Sequence, residues 1–257
     1  MPILASTLLL CSLAAAQKPL DLLPNASLSG WVKRGGNAAY SIEGKEIVGR
    51  SVRNTPNTFL CTEKTYGDFI LEFEFKVDPR LNSGVQIRSE VFDQKTQMDW
   101  QGKGISIPAG RVHGYQIEID PDPRRDRWWT GGIYDEARRG WLYPGVLGGN
   151  EKAFTDEGRR LFKQGGWNRI KVEAKGSRIK TWLNGRPCAE VEDSVALQGF
   201  IALQVHSISD TSMEGAEVRW RNIKITDLTP PDNTLSKWEK ESGWRMLWDG
   251  KSTKGWR

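Results

Sequence analysis

The segment Gly114-Tyr115-Gln116-Ile117-Glu118-Ile119-Asp120 alternates strictly between apolar and polar side chains after its first glycine. Alternate side chains of a β-strand point to opposite faces, so the tyrosine and the isoleucines would pack into a core. The other face then carries Gln116, Glu118 and Asp120 in a row, spaced about 7 Å apart. A solvent-exposed face of a strand usually carries side chains with charges of both signs. The segment therefore predicts a strand whose polar face is either solvated or the floor of a groove.

Two further predicted strands carry unusual polar side chains opposite an apolar face. These side chains are Gln86 and Arg88 in one strand, and Gln204 and His206 in the other. By contrast, the predicted strand 169–174 alternates lysine, arginine and glutamate with apolar residues, as an ordinary wet strand does. This difference favours a cleft lined by the three unusual strands. A lone histidine is more often structural than catalytic, and both interpretations of His206 stay open at this point.

The residues expected in this cleft suit acid–base chemistry. Glu118, Asp120 and His206 could supply a general acid and a general base, because crowded carboxylates push one pKa upward. Glu118 and Asp120 could also share a divalent cation, although no spacing of histidines or carboxylates fixes a metal site. The sequence contains no Gly-x-Ser-x-Gly, no His-Glu-x-x-His and no phosphate-binding loop.

Composition favours an all-β protein. The chain has 257 residues, of which 12 are tryptophan and 27 are glycine, and this profile suits short strands joined by many turns. The clearest strand is 69–77, and Asn184-Gly185 between alternating runs predicts a hairpin. Only residues 155–162 suggest a short helical turn. We therefore expect two antiparallel sheets stacked as a jelly-roll sandwich.

Two long segments between the strands are predicted to be irregular loops. The first, 90–112, is polar, and the second, 124–150, is dense in arginine and aromatic residues. Long loops in compact domains are often functional. The second segment is therefore either a surface loop pinned by its own rings or a wall over the groove.

The net charge and the targeting signals limit the kinds of partner that the protein is expected to have. The net charge is +5, but the basic residues are scattered, so binding to nucleic acid is not expected. Residues 1–16 resemble a secretory signal peptide with an Ala-x-Ala cleavage pattern, which predicts export to the periplasm or the extracellular space. No other run is long enough to span a membrane. After cleavage Cys61 and Cys188 remain, and they could pair or stay as separate thiols.

Several motifs taken in order resemble one family. They are Asn82-Ser83-Gly84, Gly114–Asp120, Gly131-Gly132-Ile133-Tyr134, Trp167-Asn168, Asn184-Gly185, Gly199–His206 and Arg221-Asn222-Ile223. Together they resemble the 3-keto-disaccharide hydrolase family, whose fold is similar to concanavalin-A-like lectins and glucanases. The domain is expected over 25–228, followed by a linker over 229–243.

The resemblance also bears on the end of the chain. The family usually has a Leu-Phe-(Asn/Asp)-Gly-Lys segment before its first Gly-Trp, and Gly30-Trp31 lacks that lead. A similar segment, Leu247-Trp248-Asp249-Gly250-Lys251, occurs near the C-terminus instead. Residues 244–257 are therefore expected to begin a second copy of the domain.

The resemblance implies cleavage of glycosides that are oxidised at C3. On this view Glu118 is the base or a metal-facing carboxylate, and Asp120 or His206 is its acid partner. Further residues are expected to bind the sugar: Gln86, Arg88, Gln116, Tyr134, Trp141 and Gln204. Two alternatives remain: a carbohydrate-binding module of the same fold without turnover, and an ordinary glucanase that acts through two carboxylates.

Overall fold

The computed structural model of the chain describes residues 18–228 and 241–243. Between residues 18 and 228 it contains seventeen strands, one α-helix and two short 3₁₀ turns, at Pro24–Ala26 and Thr211–Met213. The strands are β1 (Leu20–Asp21), β2 (Trp31–Gly35), β3 (Ala39–Glu43), β4 (Glu46–Arg50), β5 (Thr58–Tyr66), β6 (Phe69–Val77), β7 (Ser83–Val91), β8 (Thr96–Trp100), β9 (Lys103–Ile107), β10 (Val112–Ile119), β11 (Ile133–Glu136), β12 (Gly140–Tyr143), β13 (Asn168–Lys175), β14 (Arg178–Leu183), β15 (Arg186–Glu192), β16 (Gly199–Val205) and β17 (Glu217–Asp227). The helix α1 spans Glu151–Leu161.

The strands form two large antiparallel sheets that pack face to face. Sheet 1 has the order β15-β14-β13-β6-β17-β4-β3, with β1 added beside β17. Sheet 2 has the order β12-β11-β10-β7-β16-β5-β2. Strands β8 and β9 form a separate hairpin. The prediction of an all-β, two-sheet, concanavalin-A-like sandwich is confirmed, and sheet 2 contains all three strands with unusual polar residues.

The core lies between the sheets and follows the alternation of the central strands. Phe69, Leu71, Phe73 and Phe75 of β6 are at most 1% exposed, and they belong to one cluster with the three apolar side chains of the 115–119 segment. Burying an apolar side chain of this size contributes about 1.5–3 kcal/mol. The apolar row of β10 therefore anchors sheet 2 on sheet 1 and turns Gln116 and Glu118 to the opposite face.

Both segments that were predicted to be irregular loops contain strands. Within 90–112, the turn between β8 and β9 is made by Gln101 and Gly102, which both have positive φ, as a two-residue hairpin turn requires. Within 124–150, β11 and β12 extend the edge of sheet 2 beyond β10. These strands have four residues each and are rich in aromatics, which hides their alternation.

The other local predictions agree with the structure more closely. Helix α1 begins at Glu151, earlier than the predicted turn, because the Asn150 side chain accepts a hydrogen bond from the Ala153 N–H at 2.9 Å. The register of β17 shifts at Asn222, whose φ is 51°. Cys61 and Cys188 lie in different sheets and are unpaired.

The predicted signal peptide (1–16) and the C-terminal tail (244–257) lie outside the described residues, as does the linker except for 241–243. The proposed second copy therefore stays a prediction, and so does export. Within the part of the chain that the structure describes, no helix has the length and apolar character needed to cross a membrane.

Candidate functional site

The register of sheet 2 brings its polar side chains side by side. Gln116 of β10 lies opposite Gln86 of β7 on one side and opposite Tyr134 of β11 on the other. On the far side of β7, Gln204 of β16 pairs with Gly84, which also faces Glu118. Three neighbouring strands thus present amides and a carboxylate on the face that points away from the core.

A continuous chain of hydrogen bonds links these amides to Glu118. Gln86 and Gln204 each donate from Nε2 to Gln116 Oε1, at 2.7 and 2.8 Å. Gln116 in turn donates from Nε2 to Glu118 Oε2 at 2.9 Å. Asn82 donates from Nδ2 to Glu118 Oε1 at 2.6 Å. Both carboxylate oxygens of Glu118 are therefore held by amide N–H groups.

The close approach of Gln116 to β7 depends on a glycine. A Cβ atom at Gly84 would lie 2.5 Å from Cγ and Cδ of Gln116, which is shorter than any real contact. The missing side chain leaves the space in which the Gln116 amide turns toward Glu118. Gly84 belongs to the Asn82-Ser83-Gly84 motif, so this motif supplies both a donor to the carboxylate and the room for its neighbour.

Glu118 is the most strongly perturbed carboxyl group of the site. Its side chain is buried, with 3% of the residue exposed. Burial, followed by the nearby Asp120 carboxylate, raises the pKa of Glu118 to about 7, although the hydrogen bonds from Asn82 and Gln116 act in the opposite direction. Glu118 therefore exists as a mixture of the acid and the carboxylate near neutral pH.

Glu118 opens into a cavity of about 290 Å³, which we call the polar pocket. Six of the residues predicted from the sequence line it: Gln116, Glu118, Tyr134, Trp141, Gln204 and the predicted acid partner His206. The remaining lining residues are Asn57, Asn82, Arg111, Arg125, Arg127 and Glu136. Gln86 lies behind Gln116 and reaches the pocket only through its hydrogen bond.

His206 is held in one tautomer at the wall of the polar pocket. Its Nδ1 lies 2.7 Å from the carbonyl oxygen of Ser207, and a carbonyl can only accept, so Nδ1 carries the proton. Burial lowers the pKa of His206 below 6.5, and the charge of Arg125 acts in the same direction. The imidazole is therefore neutral at pH 7, with Nε2 as an acceptor.

Asp120 is occupied by an ion pair and does not line the polar pocket. Arg127 donates to Asp120 Oδ2 from Nε and Nη2, each at 2.9 Å. The guanidinium also lies over the rings of Trp129 and Trp141, at 5.5 and 5.2 Å from their centroids. Trp141 meets Tyr134 edge-on at 5.2 Å. Asp120 thus fixes Arg127 in the pocket wall instead of facing a ligand itself.

Arg88 is a further predicted site residue that does not line the polar pocket. Its φ is 45°, and the pairing of β7 with both neighbours shifts register beside it, so the alternation that would keep it beside Gln86 is broken. Its guanidinium donates to the carbonyl oxygens of Gly67 and Gly176, at 2.9 and 2.6 Å. Arg88 ties hairpin turns to sheet 2 and does not contact the polar pocket.

The divalent cation that Glu118 and Asp120 could share stays a prediction. Asp120 Oδ2 is bound by Arg127, and the oxygens of Glu118 accept from two amides. Across residues 18–228 and 241–243, no group of three or more histidine, cysteine or carboxylate side chains is arranged to hold a metal ion. One oxygen of the two carboxylates, Asp120 Oδ1, is buried and has no hydrogen-bond partner within the residues that the structure describes.

Sequence reasoning missed several residues of the polar pocket. Arg125 and Arg127 stood in a segment that was recognised as a candidate wall, without individual roles. Asn82 was recognised only as part of the motif Asn82-Ser83-Gly84, without a role of its own. Arg111 and Glu136 form an ion pair across the pocket wall, and they were missed because β11 was not recognised as a strand.

A larger hollow, of about 690 Å³, lies over the opposite end of sheet 2. Its lining includes Arg34, Glu63, Glu90 and Phe200, and none of the predicted site residues. It also lacks the hydrogen-bonded carboxyl group that distinguishes the polar pocket. The smaller cavity is therefore the better candidate for a chemical site.

The fold and the pocket together define a lectin- and glucanase-like β-sandwich with a polar site on one sheet. The family model for the 3-keto-alpha-glucoside-1,2-lyase-like domain matches residues 19–226, and the chain belongs to this family. A search of curated proteins gives no match to the sequence.

Two solved structures are similar to this chain, and the first, with a TM-score above 0.5, supports the fold. A Bacillus subtilis protein of unknown function with a galectin-like fold is similar, with 12% identity and a TM-score of 0.54, over 82% of this chain and 94% of that one. The carbohydrate-binding module CBM66 from Bacillus subtilis has 18% identity and a TM-score of 0.47, over 77% of this chain and 95% of that one. At these identities the likeness concerns the sandwich alone.

Proposed function

We propose that the protein cleaves 3-keto-glycosides by proton abstraction at C2, elimination at C1 and addition of water. The observation that carries the proposal is the pair formed by Glu118 and His206 in one pocket, where burial shifts their pKa values in opposite directions. The description of the family, a 3-keto-alpha-glucoside-1,2-lyase-like domain, supports this class of substrate.

A keto group at C3 makes the chemistry accessible to ordinary side chains. It acidifies the C2–H bond, so a general base takes the proton and the electron pair forms an enolate. The enolate re-forms the ketone as the C1=C2 double bond appears and the C1–O bond breaks. The leaving oxygen takes a proton from a general acid, and water then adds to the double bond to give the free 3-keto sugar.

The two roles follow from where the pair holds its proton. The pKa of Glu118 is about 7, whereas that of His206 is lowered from 6.5, so a pair that shares one proton keeps it on Glu118. Neutral His206 is then the base through Nε2, and protonated Glu118 is the acid. This assignment reverses the roles expected from the sequence, where Glu118 was the base, and it leaves Asp120 without a proton-transfer role.

Stabilisation of the enolate oxygen is assigned to Arg127. The expected oxygen-binding residue, Arg88, is engaged on the far side of the sheet, whereas Arg127 lines the polar pocket. Asp120 and the two tryptophan rings hold the guanidinium before a substrate arrives. A donor fixed in advance where negative charge develops is an effective means of lowering such a barrier.

Deuterium exchange at C2 separates the two roles. In D₂O, we expect Glu118→Gln to retain exchange at C2 of methyl 3-keto-α-glucoside and to lose cleavage by about a hundredfold or more. A 4-nitrophenyl leaving group, which needs little protonation, should restore cleavage. His206→Asn should lose exchange and cleavage of both glycosides. Exchange that survives in His206→Asn but not in Glu118→Gln would return the base to Glu118.

A carbohydrate-binding module without turnover is the second candidate. The edge-on pair of Tyr134 and Trp141 beside a row of amides also suits the binding of a sugar. This candidate expects calorimetric binding of the 3-keto-glycoside to wild type and to Glu118→Gln, with no product from either protein. A glucanase mechanism needs a second free carboxylate, and Asp120 is held by Arg127.

A further inference from the structure

A second, smaller cavity adjoins the polar pocket. It has a volume of about 130 Å³, and Asn82, Arg125 and His206 line both spaces. We call it the side cavity. Since Glu118 lies only in the polar pocket, a substrate whose sugar ring occupies that pocket would direct its leaving group past the shared residues.

Five arginines line the two spaces, and four of them are hydrogen-bonded to a carboxylate. These pairs are Arg111 with Glu136, Arg127 with Asp120, Arg80 with Asp78, and Arg124 with Asp122. Arg125 is the fifth of these arginines, and its side chain makes no hydrogen bond to a carboxylate among the described residues. Its Nε lies 3.9 Å from Asp122 Oδ2, beyond hydrogen-bond distance, and both oxygens of Asp122 already accept from Arg124.

The other carboxylate of the side cavity, Asp210, is not hydrogen-bonded to Arg125 in the described part of the chain. Asp210 accepts a hydrogen bond from the Ser212 N–H at 2.8 Å. This bond, followed by the charges of Arg80 and Arg124, holds the pKa of Asp210 below its usual range. The guanidinium of Arg125, 47% exposed, therefore lies at the junction of the two spaces within ion-pair distance of Asp122 but without a side-chain hydrogen bond to it.

We infer that Arg125 selects 3-keto-glycosides whose leaving group carries an anionic substituent, such as a carboxylate. The inference rests on the proposed function of the polar pocket. A guanidinium recognises a carboxylate through two parallel N–H donors, and the contact of Arg125 with Asp122 is too long, at 3.9 Å, to use such donors. The side cavity is smaller than the polar pocket and lies beyond the residues that the two spaces share. The anion is therefore assigned to the leaving group and not to the sugar ring.

Matched glycosides test this selection. The full-length protein is assayed with phenyl, 4-carboxyphenyl and 4-carbamoylphenyl 3-keto-α-glucosides, the last being neutral but similar in shape. We expect the carboxylate to raise kcat/KM about tenfold over the carbamoyl compound at low salt. Arg125→Ala should reduce this ratio to about one, and Arg125→Lys should retain part of it. Arg178→Ala removes an equally exposed charge from sheet 1 and should keep the ratio.

The outcomes distinguish the inference from the function on which it rests. Turnover of all three glycosides at equal kcat/KM overturns the inference and leaves the proposed function intact. Preference for a phenyl 3-keto-glucuronide without preference for the carboxyphenyl compound overturns the placement of the anion. Absence of any turnover contradicts the proposed function, and the ratio of calorimetric Kd values for the same compounds then decides the inference.

Discussion

Gln116 donates a hydrogen bond to Glu118 at 2.9 Å, from the next residue on the same face of one strand. The carbonyl oxygen of that amide accepts from two further glutamines, so the NH₂ group can only point toward the carboxyl group. The sheet thus sets the orientation of an amide, and the amide sets the orientation of Glu118. Disturbing Gln116 should therefore affect the site more than the fold.

Gly84→Ala is expected to impair activity while the protein stays folded. The new Cβ would lie 2.5 Å from the Gln116 side chain, which must then move and release Glu118. We expect kcat to fall by about tenfold or more, because the loss of one hydrogen bond and its orientation costs about 1–3 kcal/mol. Steady-state kinetics and circular dichroism check this result. Gly104→Ala, in open space on β9, is the control, and equal losses in both variants would contradict the role of Gly84.

Glu118→Gln should change how stability depends on pH. The pKa of Glu118 is raised from 4.5 in the unfolded chain to about 7 in the folded protein, so the folded state binds the extra proton between these values. This contribution is present below pH 4.5 and is lost as the pH rises through 7. Between pH 4.5 and pH 8, the free energy of unfolding of wild type should fall by about 3 kcal/mol relative to the variant. Parallel curves from urea titrations would show that Glu118 is not perturbed.

Arg88→Ala should reduce stability without changing the selectivity of the site. The variant loses donors to Gly67 and Gly176 and leaves their carbonyl oxygens unsatisfied. We expect the free energy of unfolding to fall by about 3 kcal/mol, because Arg88 is a buried cation that is fully engaged. Urea denaturation measures this change, and Arg178→Ala, at the exposed start of β14, should cost less than about 0.5 kcal/mol. A higher KM with unchanged stability would restore Arg88 to the substrate site.

The alternation of apolar and polar residues was sufficient to predict the sandwich and the row of polar residues on β10. It worked because both depend on the two-residue period of a strand, which the sequence displays directly. The same rule failed at Arg88. A bulge adds one residue to the alternation, and a positive φ at an arginine leaves no signature in composition.

The walls of the site could not be predicted for a different reason. Asp120 and Arg127 are seven residues apart, and their pairing depends on how the intervening loop folds back against the tryptophans. Glu136 and Arg111 are brought together by the pairing of β10 with β11, which involves a strand of only four residues. Local periodicity carries no information about such contacts between distant segments.

Trp141→Ala is expected to weaken both substrate binding and catalysis. The ring contacts Tyr134 and Trp129 edge-on and lies beneath Arg127, so its removal opens the pocket wall and releases the guanidinium. Each aromatic or cation–π contact of this kind contributes about 0.5–1.5 kcal/mol, so KM should rise about tenfold and kcat should also fall. Trp141→Phe should recover much of KM. Trp182→Ala, which removes a ring covered by Lys171 on sheet 1, is the control. If Trp141→Ala raises KM while kcat is unchanged, Trp141 shapes the sugar site without positioning Arg127.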